Sequence, residues 1–304
     1  MSKSGFSLDE QETKATRIDT AVSEAFETVT RSAERDSSLR EKLHIPTGFY
    51  SIDKHIYGMW PGELTLITGG PGVGKSSFAV NLALKAARIG VRVLLIALGA
   101  STTETVLRMY AMDGSISIGD ILGGRISEDC WDSLVKSSNK LAKLDMYICD
   151  DNRTTFDGLA SVTRKMAGSE RKALAVIDGI ELMTLPDGDH IFDWPHAVGN
   201  VATSLKKLAR EIDVPIVATM DYGVESRSSD IRDYEDVFRA LPNGAESAAD
   251  SILHISRHLT SGNEGSIPSN TTAEIILAKN RLCEPTETKL AFLPHCMRFM
   301  DYAE

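Results

Sequence analysis

The sequence predicts an α/β fold: a mostly parallel twisted sheet with helices on both faces and antiparallel strands at its C-terminal end. Three observations predict it. From about residue 45 onward, short apolar runs rich in β-branched residues alternate with helical repeats. Toward the C-terminus the strand-like runs follow one another directly. The pattern Gly-x-x-x-x-Gly-Lys-Ser at residues 69–76 lies between a strand-like run and a helical one, which is the context of a phosphate-binding loop (P-loop).

The first predicted element is an amphipathic helix at about residues 18–35. The surrounding residues 1–44 are polar and carry charges of both signs. Apolar side chains recur at helical spacing at Ile18, Val22, Ala25, Phe26 and Val29. Such a stripe has no core of its own, so we expect it to pack on this domain or on another subunit. We therefore divide the chain into an N-terminal segment, 1–44, and one α/β domain, 45–304.

The α/β domain contains nine predicted strands. They cover residues 64–68, 91–97, 146–149, 174–178, 215–220, 252–256, 274–278, 289–292 and 297–300. Helical spacing predicts helices at 77–88 and 198–212, among others. Trp60 and Trp131 are expected in the core. His254 lies in a predicted strand, so it does not share a helical face with His258, and we predict no metal site there.

Composition limits the possible functions. The chain has 304 residues, 42% of them hydrophobic and 25% charged, as is ordinary for a globular protein. It lacks an apolar run of about eighteen residues and an apolar signal core, so we expect a cytoplasmic protein without a membrane partner. Its four cysteines are widely spaced, which argues against a zinc ribbon or a disulfide framework. The net charge of −10 means that any contact with nucleic acid must be local.

The P-loop predicts binding of a nucleoside triphosphate, ATP, together with Mg²⁺. Its backbone N–H groups and the following helix N-terminus favour a polyphosphate. Lys75 is expected to reach the β- and γ-phosphates, and the Ser76 hydroxyl to join a Mg²⁺ shell. The alternative, a glycine-rich turn that merely carries Lys-Ser, is disfavoured by the flanking strand and helix. The residues predicted to bind nucleotide are Gly69, Gly70, Pro71, Gly72, Val73, Gly74, Lys75, Ser76 and Ser77.

A second nucleotide-binding element is predicted at the end of a later strand. Residues 173–178 form an apolar run that ends in Asp178. A strand ending in Asp is by itself only a turn signal. Combined with the P-loop, it predicts that Asp178 holds Mg²⁺, directly or through water, opposite Ser76.

Several segments in the same order resemble the RecA-like motor domain of DnaB-type replicative helicases. They are IPTGF at 45–49, GMWPGEL at 58–64, GGRISEDCW at 123–131, VIDGIELM at 176–183, SLKKLAREIDVPIVA at 204–218, ILAKNR at 276–281 and LAF at 290–292. The resemblance extends from about residue 45 to the C-terminus. The resemblance includes no match to the family's N-terminal helical domain, which usually meets primase, so we expect that domain to be absent and the helix at 18–29 to take the place of the family's linker helix.

The resemblance implies a ring hexamer with ATP at each subunit interface, single-stranded DNA as partner, and contacts with replication proteins. The family's Lys and Arg that reach into the neighbouring subunit's site match Lys279 and Arg281. A cation supplied in trans neutralises charge on the transferring phosphoryl group. Without the resemblance, these two residues read as an exposed basic pair at a strand end.

Two departures from the family pattern concern hydrolysis. The family's catalytic Glu after the second strand is replaced by Gly99, and its polar phosphate sensor, a Gln, matches Asp221. Loss of a general base typically costs about 10²–10⁴ in rate, while P-loop binding survives. Asp221 is our first candidate to orient or deprotonate the attacking water, and Glu181 and Glu104 are weaker candidates. We accordingly include Lys75, Asp178, Asp221, Lys279 and Arg281 in the expected catalytic set.

DNA contacts are expected from the loops at 184–195 and 222–243, which match the channel loops of the family. The second loop contributes Arg227, Arg232 and Arg239 as DNA candidates, but five acidic residues accompany them. A groove that follows a nucleic-acid backbone is net positive, and this loop is not. Its aromatic residues, Tyr222, Tyr234 and Phe238, are as compatible with packing as with base stacking.

Two functions of different classes therefore stay open. The first is a hexameric ATP-dependent DNA helicase, or translocase, in replication. The second is an ATP-binding, hydrolysis-deficient adaptor or assembly protein in replication, recombination or defence, which Gly99 and the acidic loop favour. A RadA-like or KaiC-like ATPase fits less well, because a zinc-binding cysteine cluster and a duplicated domain are both lacking.

Overall fold

The computed structural model describes residues 17–33, 44–151, 155–168, 172–183, 194–222, 231, 233–257, 271–281 and 283–302. The chain divides into two units, Met1–Leu43 and His44–Glu304. In the first unit the predicted amphipathic helix is present as α1, Ile18–Ala33. The apolar side chains of its stripe, Ile18, Val22, Phe26 and Val29, are exposed.

The described residues of the second unit form one nine-stranded sheet, which confirms the predicted fold class. Its strands are β1 Leu64–Gly69, β2 Arg92–Ala97, β3 Met146–Cys149, β4 Ala173–Asp178, β5 Ile216–Met220, β6 Ser251–Ser256, β7 Thr272–Asn280, β8 Thr286–Leu293 and β9 Arg298–Met300. The spatial order is β3-β2-β4-β5-β1-β6-β7-β8-β9. The first six strands are parallel, and β7, β8 and β9 continue the sheet in antiparallel fashion.

Helices cover both faces of the sheet. Those of the described residues are α2 Tyr50–Ile56, α3 Lys75–Arg88, α4 Thr102–Gly114, α5 Ile118–Leu122, α6 Glu128–Leu141, α7 Phe156–Ala167, α8 Trp194–Ile212, α9 Tyr234–Ala240 and α10 Ala245–Ala248. Short 3₁₀ turns follow β4 at Ile180–Leu182 and β8 at Pro294–Cys296. In the described part of the chain, no helix combines the length and apolarity needed to cross a membrane.

Alternating side chains of the parallel strands supply two apolar layers. Leu94 and Ile96 of β2 lie in one layer with residues of α7 and α8, while Val93 and Leu95 lie in the other with residues of α3. Successive side chains of a strand point to opposite faces, so a buried strand between two helical layers is apolar throughout. Every position of β1 and β4 is accordingly buried.

Two sequence expectations differ from the structure. Trp131 is 57% exposed on α6 and does not belong to the core. The reason is that α6 buries only one face, which includes Ser137, and the tryptophan lies outside it. The strands β7 and β8 are longer than predicted, because their outer residues alternate between buried and accessible positions and lack a continuous apolar run.

Candidate functional site: a P-loop cavity at the carboxyl edge of the sheet

The predicted P-loop joins β1 to α3 at the centre of the sheet, where β1 pairs with β5 on one side and β6 on the other. Gly69 has φ +155°, and a Cβ there would lie 2.6 Å from the carbonyl oxygen of Ile255 on β6. Gly74, with φ +108°, is the N-cap of α3, and its Cβ would lie 3.1 Å from the ring of Phe299. These two glycines are therefore required by backbone conformation and by close packing.

Lys75 is held by its own loop. Its Nζ donates hydrogen bonds of 2.9 Å to the carbonyl oxygens of both Gly69 and Gly70. The same ammonium forms an ion pair with the carboxylate of Asp221, the residue that follows β5. The lysine side chain is only 11% exposed, whereas that of Asp221 is 43% exposed. Asp221 thus balances the lysine charge, and phosphate oxygens bound in the loop would compete with it for the ammonium.

Asp178 ends β4 at the same edge of the sheet and is buried. Its Oδ1 accepts a hydrogen bond of 2.7 Å from the hydroxyl of Thr219 on β5. That hydroxyl accepts in turn from the N–H of Gly179, at 2.8 Å. Thr219 therefore fixes the orientation of the carboxylate through the pairing of β4 with β5.

A cavity of about 620 Å³ is lined by Ser76 and Asp178 together with Lys75, so the sequence-predicted nucleotide and metal residues meet in one place. The oxygen ligands fit Mg²⁺, which is usually bound by one or two protein oxygens plus phosphates and water. The described residues contain no group of three or more His, Cys, Asp or Glu side chains arranged to hold a metal.

Glu181 enters the same cavity from the turn after β4. Gly179, with φ +91°, starts the 3₁₀ turn Ile180–Leu182. Burial raises the pKa of the Glu181 carboxyl to about 7, against hydrogen bonds from backbone N–H groups of Glu181 and Asp221 that lower it. The side chain of Leu182 covers Gly99, where its Cδ1 would lie 3.1 Å from a Cβ.

Arg257 is a site residue that sequence reasoning missed. It follows β6 directly, and its Nη1 lies 3.3 Å from the carbonyl oxygen of Val73 in the P-loop. Its guanidinium carbon lies 4.2 Å from the ring centroid of Phe292, and burial lowers its pKa. A basic residue at the end of a strand was a detectable signal, but the pairing of β6 with β1 was needed to place it at the loop.

His254 is buried in β6 beneath the P-loop. Its Nδ1 lies 3.4 Å from the Thr68 hydroxyl, and its ring contacts the hydroxyl of Tyr222. Burial, with a smaller effect of the Lys75 charge, lowers the pKa of His254 to about 4, so the ring is neutral at pH 7. Tyr222 is buried, which leaves it packed against the core; His258 lies outside the described residues.

Lys279 and Arg281 lie near the amino ends of the parallel strands, whereas the P-loop of the same chain lies at their carboxyl ends. Lys279 donates to the carbonyl oxygen of Glu246 at 2.6 Å, and Arg281 Nε lies 2.9 Å from Asp250 Oδ1. Asp250 also accepts from the N–H of Leu64, at the start of β1. The P-loop follows the other end of β1, about 17 Å away at about 3.3 Å per residue.

The remaining predicted site residues fall in three groups. Glu104 is exposed and completes a capping box with Ser101 at the start of α4; hydrogen bonds from Ser101 lower its pKa. Arg239 is exposed on α9 and pairs with two acids of its own helix, Glu235 and Asp236. Arg227 and Arg232 lie outside the described residues, as does most of the first DNA-loop candidate.

Comparisons with known proteins agree with the family resemblance of the sequence. The family model described as "DnaB-like helicase C terminal domain" matches residues 44–301. The chain is 24% identical over 286 residues to the replicative DNA helicase DnaB of Leifsonia xyli subsp. xyli, covering 93% of this chain and 61% of that protein. It is 26% identical over 266 residues to DnaB of Geobacillus stearothermophilus, covering 84% of this chain and 56% of that protein.

Solved structures show the same RecA-like ATPase fold. One solved ATPase domain superposes with a TM-score of 0.81 at 24% identity, covering 95% of this chain and all of that one. A DnaB-like replicative helicase, described with its interactions with primase, has a TM-score of 0.79 at 22% identity, covering 95% of this chain and 68% of that one. The sequence resemblance is thereby confirmed, and the chain belongs to the DnaB-like helicase C-terminal domain family.

Proposed function

We propose that this chain is the ATP-driven motor of a DnaB-type DNA helicase, which binds ATP and Mg²⁺ and moves along single-stranded DNA in replication. The observation that carries the proposal is the meeting of Lys75, Ser76 and Asp178 in one cavity. Membership of the helicase family gives that cavity its context. The chain spans only 61% and 56% of the two relatives named above, so the activity of the whole relatives is part of the proposal.

The residues of the cavity have distinct roles in this proposal. The P-loop N–H groups and the N-terminus of α3 hold the phosphates. When ATP binds, the Lys75 ammonium leaves its ion pair with Asp221 and binds phosphate oxygens instead. Ser76 and Asp178 hold Mg²⁺, which when bound neutralises phosphate charge. Thr219 keeps the Asp178 carboxylate in place. Arg257 adds a second positive charge beside the loop.

The proposal includes a ring hexamer with ATP between subunits. Lys279 and Arg281 lie far from their own P-loop, and the Arg281 side chain is exposed, so a neighbouring subunit is the site that they can serve. The exposed stripe of α1 supplies a second contact surface. Arg227, Arg232 and Arg239 remain the candidates for DNA contacts. In the proposed hexamer, six copies of each arginine would face the central channel of the ring.

The proposal is tested by ATP hydrolysis with and without single-stranded DNA. We expect turnover that DNA stimulates and that Lys75→Ala abolishes, because the lysine charge at the phosphates is lost. Lys289→Ala, which removes an exposed lysine of β8, is the matched control and is expected to behave as wild type. Turnover that survives Lys75→Ala would refute the role of this cavity. A mass measurement with ATP tests the hexamer, and a persistent monomer would refute it.

Gly99 favours a second candidate function, an ATP-binding adaptor that hydrolyses ATP poorly. This alternative predicts ATP binding without turnover in the wild-type chain. Turnover would then be restored by Gly99→Glu combined with Leu182→Ala, since the leucine otherwise crowds a new side chain at 3.1 Å. DNA-stimulated turnover in the wild-type chain would exclude the adaptor.

A further inference from the structure

Three carboxylates line the P-loop cavity: Asp178, Glu181 and Asp221. Two of them are already engaged. Asp178 accepts from Thr219 and faces the proposed Mg²⁺ position with Ser76, while Asp221 is paired with the ammonium of Lys75. Glu181 has no ion-pair partner among the described residues, and its Oε2 is buried without a hydrogen-bond partner. Such a carboxylate oxygen is costly to bury unless a ligand uses it.

We propose that Glu181 is the general base of ATP hydrolysis in this chain, in place of the carboxylate that is missing at Gly99. This inference rests on the proposed function, because it names the group that activates the attacking water at the same site. Asp221, the first candidate from the sequence, is less suited, because its carboxylate faces the Lys75 ammonium and its side chain is 43% exposed, whereas the Oε2 atom of Glu181 is buried in the cavity.

The backbone positions Glu181 for this role. The positive φ of Gly179 turns the chain at the end of β4, and the 3₁₀ turn that follows brings residue 181 back over the sheet edge. Backbone N–H groups of Glu181 and Asp221 lower the pKa of the carboxyl, although burial outweighs them. One oxygen, Oε1, would lie 3.8 Å from a Cβ on Gly179, the residue next to Asp178.

The strand pairing explains how Glu181 can replace a residue at position 99. Strands β2 and β4 are parallel neighbours, and Ala97 pairs with Asp178. Gly99 follows Ala97 by two residues, and Glu181 follows Asp178 by three. The two residues therefore lie in loops that begin side by side at the carboxyl ends of adjacent strands. Leu182 reaches across to cover Gly99, which shows that the two loops are in contact range.

The chemical step is an in-line displacement. The water oxygen forms a bond to the γ-phosphorus, its proton passes to the Glu181 carboxylate, and the bond to the bridging oxygen breaks to leave ADP. The proton then leaves to solvent or to phosphate. Burial already brings the pKa of Glu181 to about 7, so the carboxylate is more basic than an ordinary one and is still partly ionised at neutral pH. The charged groups around it are Lys75, Arg108, Asp178, Asp221 and Arg257.

The test compares three carboxylate-to-amide variants of the full chain. Turnover of Glu181→Gln is expected to fall by about 10²–10⁴ while ATP binding is retained, as for loss of a general base. Asp221→Asn is the second variant, because Asp221 is the other carboxylate of the cavity that the sequence offers as a base. Glu104→Gln, in the exposed capping box, is the matched control and is expected to equal wild type, since Gln also completes that box.

The outcomes separate this inference from the proposed function. Wild-type turnover that persists in Glu181→Gln would overturn the inference and leave the motor proposal intact. Loss of turnover in Asp221→Asn, with Glu181→Gln active, would assign the base to Asp221 instead. ATP binding without any wild-type turnover would overturn both. Retained ATP binding in Glu181→Gln distinguishes loss of chemistry from loss of folding.

Discussion

The ion pair between Lys75 and Asp221 leads to a prediction that runs against the usual effect of altering a nucleotide site. Asp221→Asn is expected to tighten ATP binding. The substitution frees the ammonium that the phosphates need, and it removes a negative charge from the cavity that receives them. Both effects favour the bound state.

The magnitude follows from the geometry and exposure of the pair. Unit charges about 4 Å apart interact by about 1 kcal/mol in bulk water and by about 4 kcal/mol at an effective dielectric constant of about 20. The Asp221 side chain is 43% exposed, so the lower part of this range applies. A change of about 1–2 kcal/mol corresponds to a dissociation constant about 5- to 30-fold lower.

Calorimetric titration with a non-hydrolysable Mg·ATP analogue measures this change. The matched control is Asp120→Asn: Asp120 is 46% exposed and pairs with Arg125 at 3.5 Å on the surface, so its loss is expected to leave ATP binding unchanged. Weaker ATP binding in Asp221→Asn would refute the reasoning, because it would mean that the carboxylate helps to hold the nucleotide or its metal. Added salt screens the ion pair between Lys75 and Asp221, so we also expect the difference in ATP affinity between wild type and Asp221→Asn to shrink as the salt concentration rises.

Two other predictions concern stability. Asp250 is 1% exposed and accepts from Lys206 at 2.7 Å and from the N–H of Leu64, so Asp250→Ala is expected to lower the free energy of unfolding by about 3–5 kcal/mol in urea titrations. Glu235→Ala, which breaks only an exposed pair with Arg239, is expected to cost at most about 1 kcal/mol, and equal losses would contradict the argument. His254 has a folded-state pKa of about 4, below its ordinary 6.5, so the unfolded chain binds a proton more readily there. The contribution of the neutral His254 ring to the free energy of unfolding is present above pH 6.5. It is lost as the pH falls toward about 4, and the loss amounts to about 3 kcal/mol. His254→Gln is expected to lack this part of the pH dependence of unfolding, and an unchanged profile would contradict it.

The local features of the P-loop cavity were predictable from sequence. The P-loop follows an apolar strand and Asp178 ends another, and the apolar runs together with the glycine pattern are enough to place them at the carboxyl ends of parallel strands. The sequence put Asp221 before Glu181 as the candidate base, whereas the structure favours Glu181. The exposure of Asp221 and its pairing with Lys75 depend on side-chain contacts across strands. No local pattern reveals those contacts.

The features that the sequence did not predict depend on contacts between residues that are distant in the chain. Arg257 reaches the P-loop only because β6 lies beside β1, although the two strands are far apart in sequence. Trp131 was placed wrongly, since a large apolar side chain on a helix can lie outside the face that neighbouring helices cover. The strands β7 and β8 were recognised but shortened, as alternation on a half-exposed antiparallel edge hides their ends.

The register that pairs Ala97 with Asp178 has a consequence for which loop can supply a carboxylate to the cavity. Because the loops after β2 and β4 emerge side by side, a carboxylate lost from one loop can be supplied by the other without altering a strand, the core or the P-loop. On the assignment proposed above, the reactive carboxylate lies in the loop after β4, next to the loop that carries Gly99. A glycine at position 99 is therefore compatible with hydrolysis, provided that the neighbouring loop presents a carboxylate to the same cavity.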